Sequence, residues 1–257
     1  VYANIKKAEK KYTVNFVVGN ETLKSITGTA GNAIVLPSQS EIEEKIPAGF
    51  VFEKWVDEQG NEIASDAKIA RDVTYTAKFA LATPTASMVT VLYPQGKTAF
   101  VYGDTCSASI EKETAPDGVT YTYEWFDAKG NKLDSQDGSI CNIENLNVGE
   151  VRITSKVTAS ADGYTSVFAT SHATIKVEKA TLTVTIDEIN IVYGQDLPTC
   201  ALRFDGFKYG EGESVVDKTE LVVSTSYQKG SDVGAYALSI SGLKANNYNF
   251  VGTGENG

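Results

Sequence analysis

The chain repeats itself, and that limits what it can fold into. Phe100-Val-Tyr-Gly-Asp104 is echoed by Ile191-Val-Tyr-Gly-Gln195, and Asn147-Val-Gly-Glu-Val151 by Asp232-Val-Gly-Ala-Tyr236. The first segment closes on Val73-Thr-Tyr-Thr-Ala-Lys-Phe79. The opening Val1-Tyr-Ala-Asn-Ile5 reads as the same closing strand left over from a preceding copy. Short echoes of this kind belong to small modules in series, each burying its own core. Repeated β modules usually build stalks or binding surfaces and seldom active sites. The question is therefore what the chain holds or touches.

The composition fits this. Thirteen Tyr with abundant Val and Thr favour strands, and an apolar fraction of 42% is enough for packed cores. A single Met and the lack of any long Leu-rich periodic run exclude a helical bundle. No stretch approaches 18 apolar residues, so no helical membrane insertion is expected. No signal peptide is visible. A start in mid-repeat reads as an excised fragment whose targeting signals lie outside it. The net charge of −10 argues against a nucleic-acid partner, which needs clustered Lys and Arg, and suits a solvated extracellular surface. Three cysteines do not make a disulfide-dense scaffold.

Punctuation divides the chain into a tail of a preceding repeat (1–10), a first module (11–80), a second (87–179) and a third (180–257) that stops one strand early. In the first, Tyr12–Val18 and Thr22–Thr27 form a hairpin around Gly19-Asn20. Capping-box spacing at Ser38–Glu41 and Ser40–Glu43 predicts a short helix over Glu41–Ile46, before Pro47. Phe50–Val56 and Val73–Phe79 return as strands, giving a β-grasp-like order. Phe52 and Trp55 are candidate core residues. The joint Ala80–Ala86 reads as a loose stretch around Pro84. In the second module, strands at sandwich spacing include Cys106–Ile110, Val119–Phe126, Gly138–Ile143, Val151–Ala159 and Phe168–Val177. Alternation places Tyr121, Tyr123 and Trp125 on one face, with Tyr123 and Trp125 assigned to the core. No Pro or Gly interrupts Val177–Val184, so the last strand of the second module should run almost directly into the third. There, Thr181–Ile186, Ile189–Tyr193, Ala201–Phe204, Leu221–Tyr227, Tyr236–Ile240 and Tyr248–Val251 read as strands, with a helical turn near Ser214–Val216.

These patterns resemble known families. Gly49, Phe50, Phe52 and Trp55, with Thr74, Tyr75 and Ala77, are similar to the internalin B-repeat, also called the Listeria–Bacteroides repeat, of bacterial surface proteins. The turn Gly19-Asn20, where that family has Gly-Gly, and a longer, more acidic helix region depart from its pattern. Trp125 in the third strand resembles the core Trp of immunoglobulin-like sandwiches, although the cysteines do not stand at that family's positions. Leu182-Thr-Val184, Val192-Tyr-Gly194, Leu197-Pro198, Gly234-x-Tyr236 and Asn246-Asn-Tyr248 resemble the MBG modules of large bacterial adhesins. The resemblance implies an extracellular location on a bacterial surface or cell wall, no cofactor, and partners such as a host protein, a glycan or neighbouring repeats.

The chemistry-bearing residues are sparse. His172 is the only histidine; it lies in an alternating polar run and reads as solvent-facing. No nucleophile elbow, phosphate loop or zinc-protease motif is present. Glu41, Glu43 and Glu44, and Glu211 with Glu213, read as solvated faces, since paired glycosidase carboxylates need a cleft. Asp57–Glu62 reads as a hairpin turn ahead of a calcium loop. Cys106 and Cys141 fall on neighbouring strands, and two states remain open: buried free thiols or a disulfide. Cys200 reads as a core residue. Tyr102, Tyr193, Tyr227, Tyr236 and Tyr248 read as half-buried boundary residues, with sugar stacking as the alternative. No catalytic, metal or cofactor residue is assigned. The expectation is a non-catalytic surface stalk or adhesin fragment. Its alternatives are a module recognising a host protein or glycan, and an accessory region of a secreted carbohydrate-active enzyme.

Overall fold

The computed structural model describes residues 7–136 and 138–252. The expected strand at Val1–Ile5 lies outside them. The protein is mostly β, built from several small separate sheets with no closed barrel among the described residues. It divides into two compact units. One comprises Val1–Ala86, Glu113–Thr122 and Val157–Ala169; the other comprises Ser87–Lys112, Tyr123–Lys156 and Thr170–Gly257.

In the first unit, β1 (Lys11–Val18) turns at Gly19 into β2 (Glu21–Thr29). Helix α1 (Gln39–Glu43) follows, then β3 (Phe50–Val56) and β4 (Val73–Leu81). The sheet order is β2–β1–β4–β3, with β1 and β4 parallel at its centre, which is the β-grasp order. Alternation on β1 sends Val14 and Phe16 inward, where they meet Trp55, Val73, Ala77 and Ile42. Phe52 and Trp55 lie three residues apart and would face opposite ways on a regular strand. A bulge between Phe52 and Lys54 adds one residue and turns both rings into the same core, with centroids 5.4 Å apart. Phe16 meets Trp55 edge-on at 5.0 Å.

The helix starts two residues earlier than the spacing predicts, because Ser38 and not Ser40 is its cap. Glu41 N–H donates to Ser38 Oγ at 3.3 Å, and Ser38 N–H donates to Glu41 Oε2 at 2.6 Å. These bonds, joined by Lys24, hold the Glu41 carboxyl below its ordinary pKa. The segment Ala80–Ala86 is not loose. Leu81 and Pro84 are buried, and Ala82 N–H donates to Gly49 O at 2.9 Å. Leu81 belongs to a second small core of this unit with Val119 and Ala159, against which Phe50, Tyr121 and Val167 pack. Gly49, at φ +84°, runs so close beneath Pro116 that a Cβ would lie 3.0 Å from its ring.

The second unit holds all or the larger part of each following strand: β5 (Thr90–Val91), β6 (Phe100–Val101), β7 (Cys106–Ser109), β8 (Thr120–Phe126), β9 (Lys132–Leu133), β10 (Ser135–Gln136), β11 (Ile140–Ile143), β12 (Gly149–Ser160) and β13 (Val167–Glu178). They form two sheets, β10–β11–β7–β5 and β6–β13–β12–β8–β9. Cys106, Ala108, Cys141 and Ile143 of the first share a core with Trp125, Ile153, Ile175 and Val177 of the second. Trp125 is fully buried, and its indole N–H donates to Gly138 O at 2.9 Å. Tyr123, two residues earlier on the same face, packs half-buried at the margin of that core.

Only Lys179 separates β13 from β14 (Ala180–Ile186). β14 pairs antiparallel with β15 (Leu202–Asp205) and parallel with β18 (Tyr248–Gly252). A 3₁₀ turn at Glu213–Val215 lies one residue before the expected helical turn. β16 (Val222–Thr225) and β17 (Leu238–Ser241) pair by themselves. Ala180, Leu182 and Val184 alternate inward. Ile189–Tyr193 is not a strand, contrary to its apolar pattern. Its echo at Phe100–Val101 is one, because the end of β13 pairs with it in parallel; Ile191–Val192 pairs with no strand among the described residues.

Truncating Trp125 to Ala should cost about 3–5 kcal/mol through the cavity and the abandoned Gly138 carbonyl. Trp55→Ala should cost about as much but release only the β1–β4 sheet. Residue-resolved hydrogen exchange checks this: loss of both protected cores in either variant would refute separate anchoring.

Candidate functional site: a tyrosine–carboxylate joint

The most elaborate polar constellation joins the end of the second module to the third, inside the second unit. It begins with a turn. After β6 pairs with β13 (Phe100 opposite Val177, Val101 opposite Glu178), Tyr102 N–H donates to Glu178 O at 2.8 Å. Asp104 N–H donates back to Val101 O at 2.9 Å, and Asp104 Oδ2 accepts from Val101 N–H at 2.8 Å. Gly103 takes φ +102°, a conformation that favours glycine. Lys208 crosses directly over it, so that a Cβ on Gly103 would lie 2.6 Å from the lysine stem.

The turn delivers Tyr102 into a cluster of aromatic rings, leaving it 4% exposed. It meets Tyr209 and Tyr248 edge-on, at 5.3 and 5.5 Å. The Tyr102 hydroxyl donates to Glu211 Oε1 at 2.9 Å, and the Tyr248 hydroxyl donates to Glu211 Oε2 while accepting from Lys208 N–H at 2.8 Å. One carboxylate thus receives two phenolic protons. Alongside, Asn247 accepts from Val148 N–H and donates to Asn147, both at 3.2 Å. The two described non-glycine residues with positive φ, Asn145 and Tyr209, both lie here, and Asn145 N–H donates to the Tyr209 hydroxyl at 3.1 Å. Left-handed backbone is common for Asn but costs roughly 1–2 kcal/mol at a residue such as Tyr209, and strain of this kind gathers where surrounding contacts over-determine the geometry.

The site corrects one assignment. Glu211 is not on a solvated face; it is half-buried and bonded to two tyrosines, whereas Glu213 is exposed. Tyr102 and Tyr248 are buried, while Tyr193, the echo of Tyr102, is 67% exposed. The other sequence-flagged residues lie apart. His172 is exposed on β13. Asp57 spends both carboxylate oxygens on Gln59 N–H, Asn61 N–H and the Asn61 amide, closing its turn; Asp127 closes an equivalent turn with Lys129 and Asn131. Among the described residues, no three His, Cys, Asp or Glu gather around a common point for a metal.

Cys106 and Cys141 are buried free thiols on adjacent strands, and Cys200 is free and half-buried. Cys141 pairs with Ala108 and Cys106 with Ile143, so the two cysteines are diagonal neighbours. Such positions stand roughly 7–8 Å apart, beyond the span of about 4.4–6.8 Å between the Cα atoms of a disulfide. Burial pushes both thiols up to about 11, helped by Asp104 for one and Asp134 for the other. In native protein at pH 8, iodoacetamide should therefore modify Cys200 well before either; a native mass lacking two thiol hydrogens would overturn the free-thiol assignment.

Burial, followed by the hydrogen bond to Glu211, raises the Tyr248 pKa to about 12, and the same causes in the same order raise that of Tyr102. The folded state holds these protons more tightly than an unfolded tyrosine, which titrates near 10. The stabilisation from Tyr248 is complete below about pH 10 and fades as pH rises toward about 12, and that from Tyr102 fades in the same direction. Tyr248→Phe should cost about 1.5–3 kcal/mol at pH 7, as expected for a hydrogen bond to a charged group. It should also flatten the loss of stability above pH 10, as measured by urea unfolding. Parallel pH curves for both proteins would show that the Tyr248 hydroxyl is not held this way.

The comparisons with known proteins bear on this part of the chain. A model of the MBG domain (YGX type) family matches residues 182–256, which include Tyr193-Gly194-Gln195. No curated protein matches the chain.

Proposed function

We propose that the chain is a non-catalytic spacer in a secreted bacterial protein displayed on the cell surface or wall. It would carry a neighbouring binding region outward. The observation that carries this is the joint between the second and third modules: one residue, Lys179, separates two strands, and Tyr102, Glu211 and Tyr248 lock the flanking modules together. A connection built this way transmits orientation from module to module, which is what a spacer needs and a flexible tether lacks. The MBG match supports a surface-associated β module with no chemistry of its own. The β-grasp order of the first module supports its likeness to the B-repeat, and the two facing sheets with a buried Trp125 support the immunoglobulin-like likeness of the second. The lone histidine and the missing nucleophile motifs add to the non-catalytic reading.

A spacer should scatter X-rays with a radius of gyration of about 25 Å, as three modules with strands of roughly 25–30 Å placed in series would; a compact chain of this length gives about 18 Å. The compact value would remove the spacer reading. No turnover is expected on glycoside, ester or peptide panels. Activity abolished by a single carboxylate substitution would place the chain among enzymes.

A further inference from the structure

The Tyr-Gly turn occurs twice with one geometry and two opposite environments. Gln195 N–H donates to Val192 O at 3.1 Å, as Asp104 N–H does to Val101 O at 2.9 Å, and Gly194 takes φ +82° where Gly103 takes +102°. The second turn is braced by its own module. Tyr227 donates its hydroxyl proton to Gln195 O at 2.6 Å, and Lys229 pairs with Asp196 at 3.0 Å. Yet Tyr193 is 67% exposed and Val192 69%, against 4% for Tyr102. Nothing lies within 4 Å of a Cβ built on Gly194, where Gly103 has Lys208. A hollow of about 360 Å³ opens there instead, bordered by Ile191, Gln195 and Lys229. The turn is formed, and the surface that Tyr102 buries in its own case is left open.

We propose that the Tyr193-Gly194 turn is a docking element for a further module of the 180–252 kind. A strand pairs in parallel with Ile191–Val192, as β13 pairs with β6, and leads into that module. Its counterparts of Tyr209, Glu211 and Tyr248 then enclose Tyr193, and its counterpart of Lys208 crosses Gly194. The occupant is identified by the joint already formed in this chain, where the same five-residue pattern receives the third module. This also accounts for the missing strand at Ile189–Tyr193: β6 is a strand because β13 supplies its partner. The proposal does not depend on surface display, and its test reads the joint alone.

The test is a graft. Residues 253–257 are replaced by a repeat of residues 173–252, so that β18 runs on into the copied Ala173–Glu178 and reaches a length close to that of β13. Amide exchange at Tyr193 should then slow by at least about 100-fold relative to the original chain, as an open loop amide does on joining a stable sheet. Unchanged exchange at Tyr193, whether the copy folds or not, overturns the proposal. A second variant removes any dependence on graft design. Phe100→Ile with Asp104→Gln gives the second-module turn the sequence of the third. Protection of the Tyr102 amide should stay within about tenfold of the parent. If it falls to the open-loop rate, the sequence Ile191–Gln195 cannot dock a module and the proposal fails.

Discussion

Two phenol hydroxyls sharing one carboxylate set the geometry on which the second unit depends. Glu211 stands on a loop of the third module, Tyr248 opens that module's last strand, and Tyr102 comes from the module before. Both hydrogen bonds converge on one carboxylate, so the three side chains fix one another's positions. The consequences reach outward. Gly103 must admit Lys208, Tyr209 must accept a left-handed backbone, and Lys179 can be the whole of the connection because orientation is set elsewhere.

Much of the fold was legible in the residues. Period-two alternation placed β1, β3, β4, β12 and β13 to within a few residues, and the aromatic positions Trp55 and Trp125 lie in separate cores. The failures share a cause. The bulge between Phe52 and Lys54 is a property of strand pairing, invisible in the strand itself. Phe100–Val101 and Ile191–Val192 have nearly the same sequence, yet only the first is a strand, because strand identity there is conferred by a partner. Pro84 looked like a flexible break and is buried instead.

The joint was less legible than the fold. Glu211, in a Gly-Glu-Gly-Glu run, looks like any solvated loop carboxylate, and its two tyrosine partners lie 109 and 37 residues away in sequence. The usable signal was the echo itself. Two copies of Val-Tyr-Gly in successive modules mark the turn, and the first copy is the one whose tyrosine is buried in the joint. Electrostatic detail follows from the same burial, since tyrosines kept from water hold their protons beyond the ordinary range.

The parallel pairing of β1 with β4 has a mechanical meaning. The chain enters the first sheet at the start of β1 and leaves at the end of β4, and in a parallel pair those two points lie at opposite ends. Tension applied through the backbone would therefore load the bonds between the strands in shear, all at once, and not peel them apart one by one. β14 and β18 stand in the same relation within the third module. Both sheets are wired so that pulling meets the whole row of hydrogen bonds together.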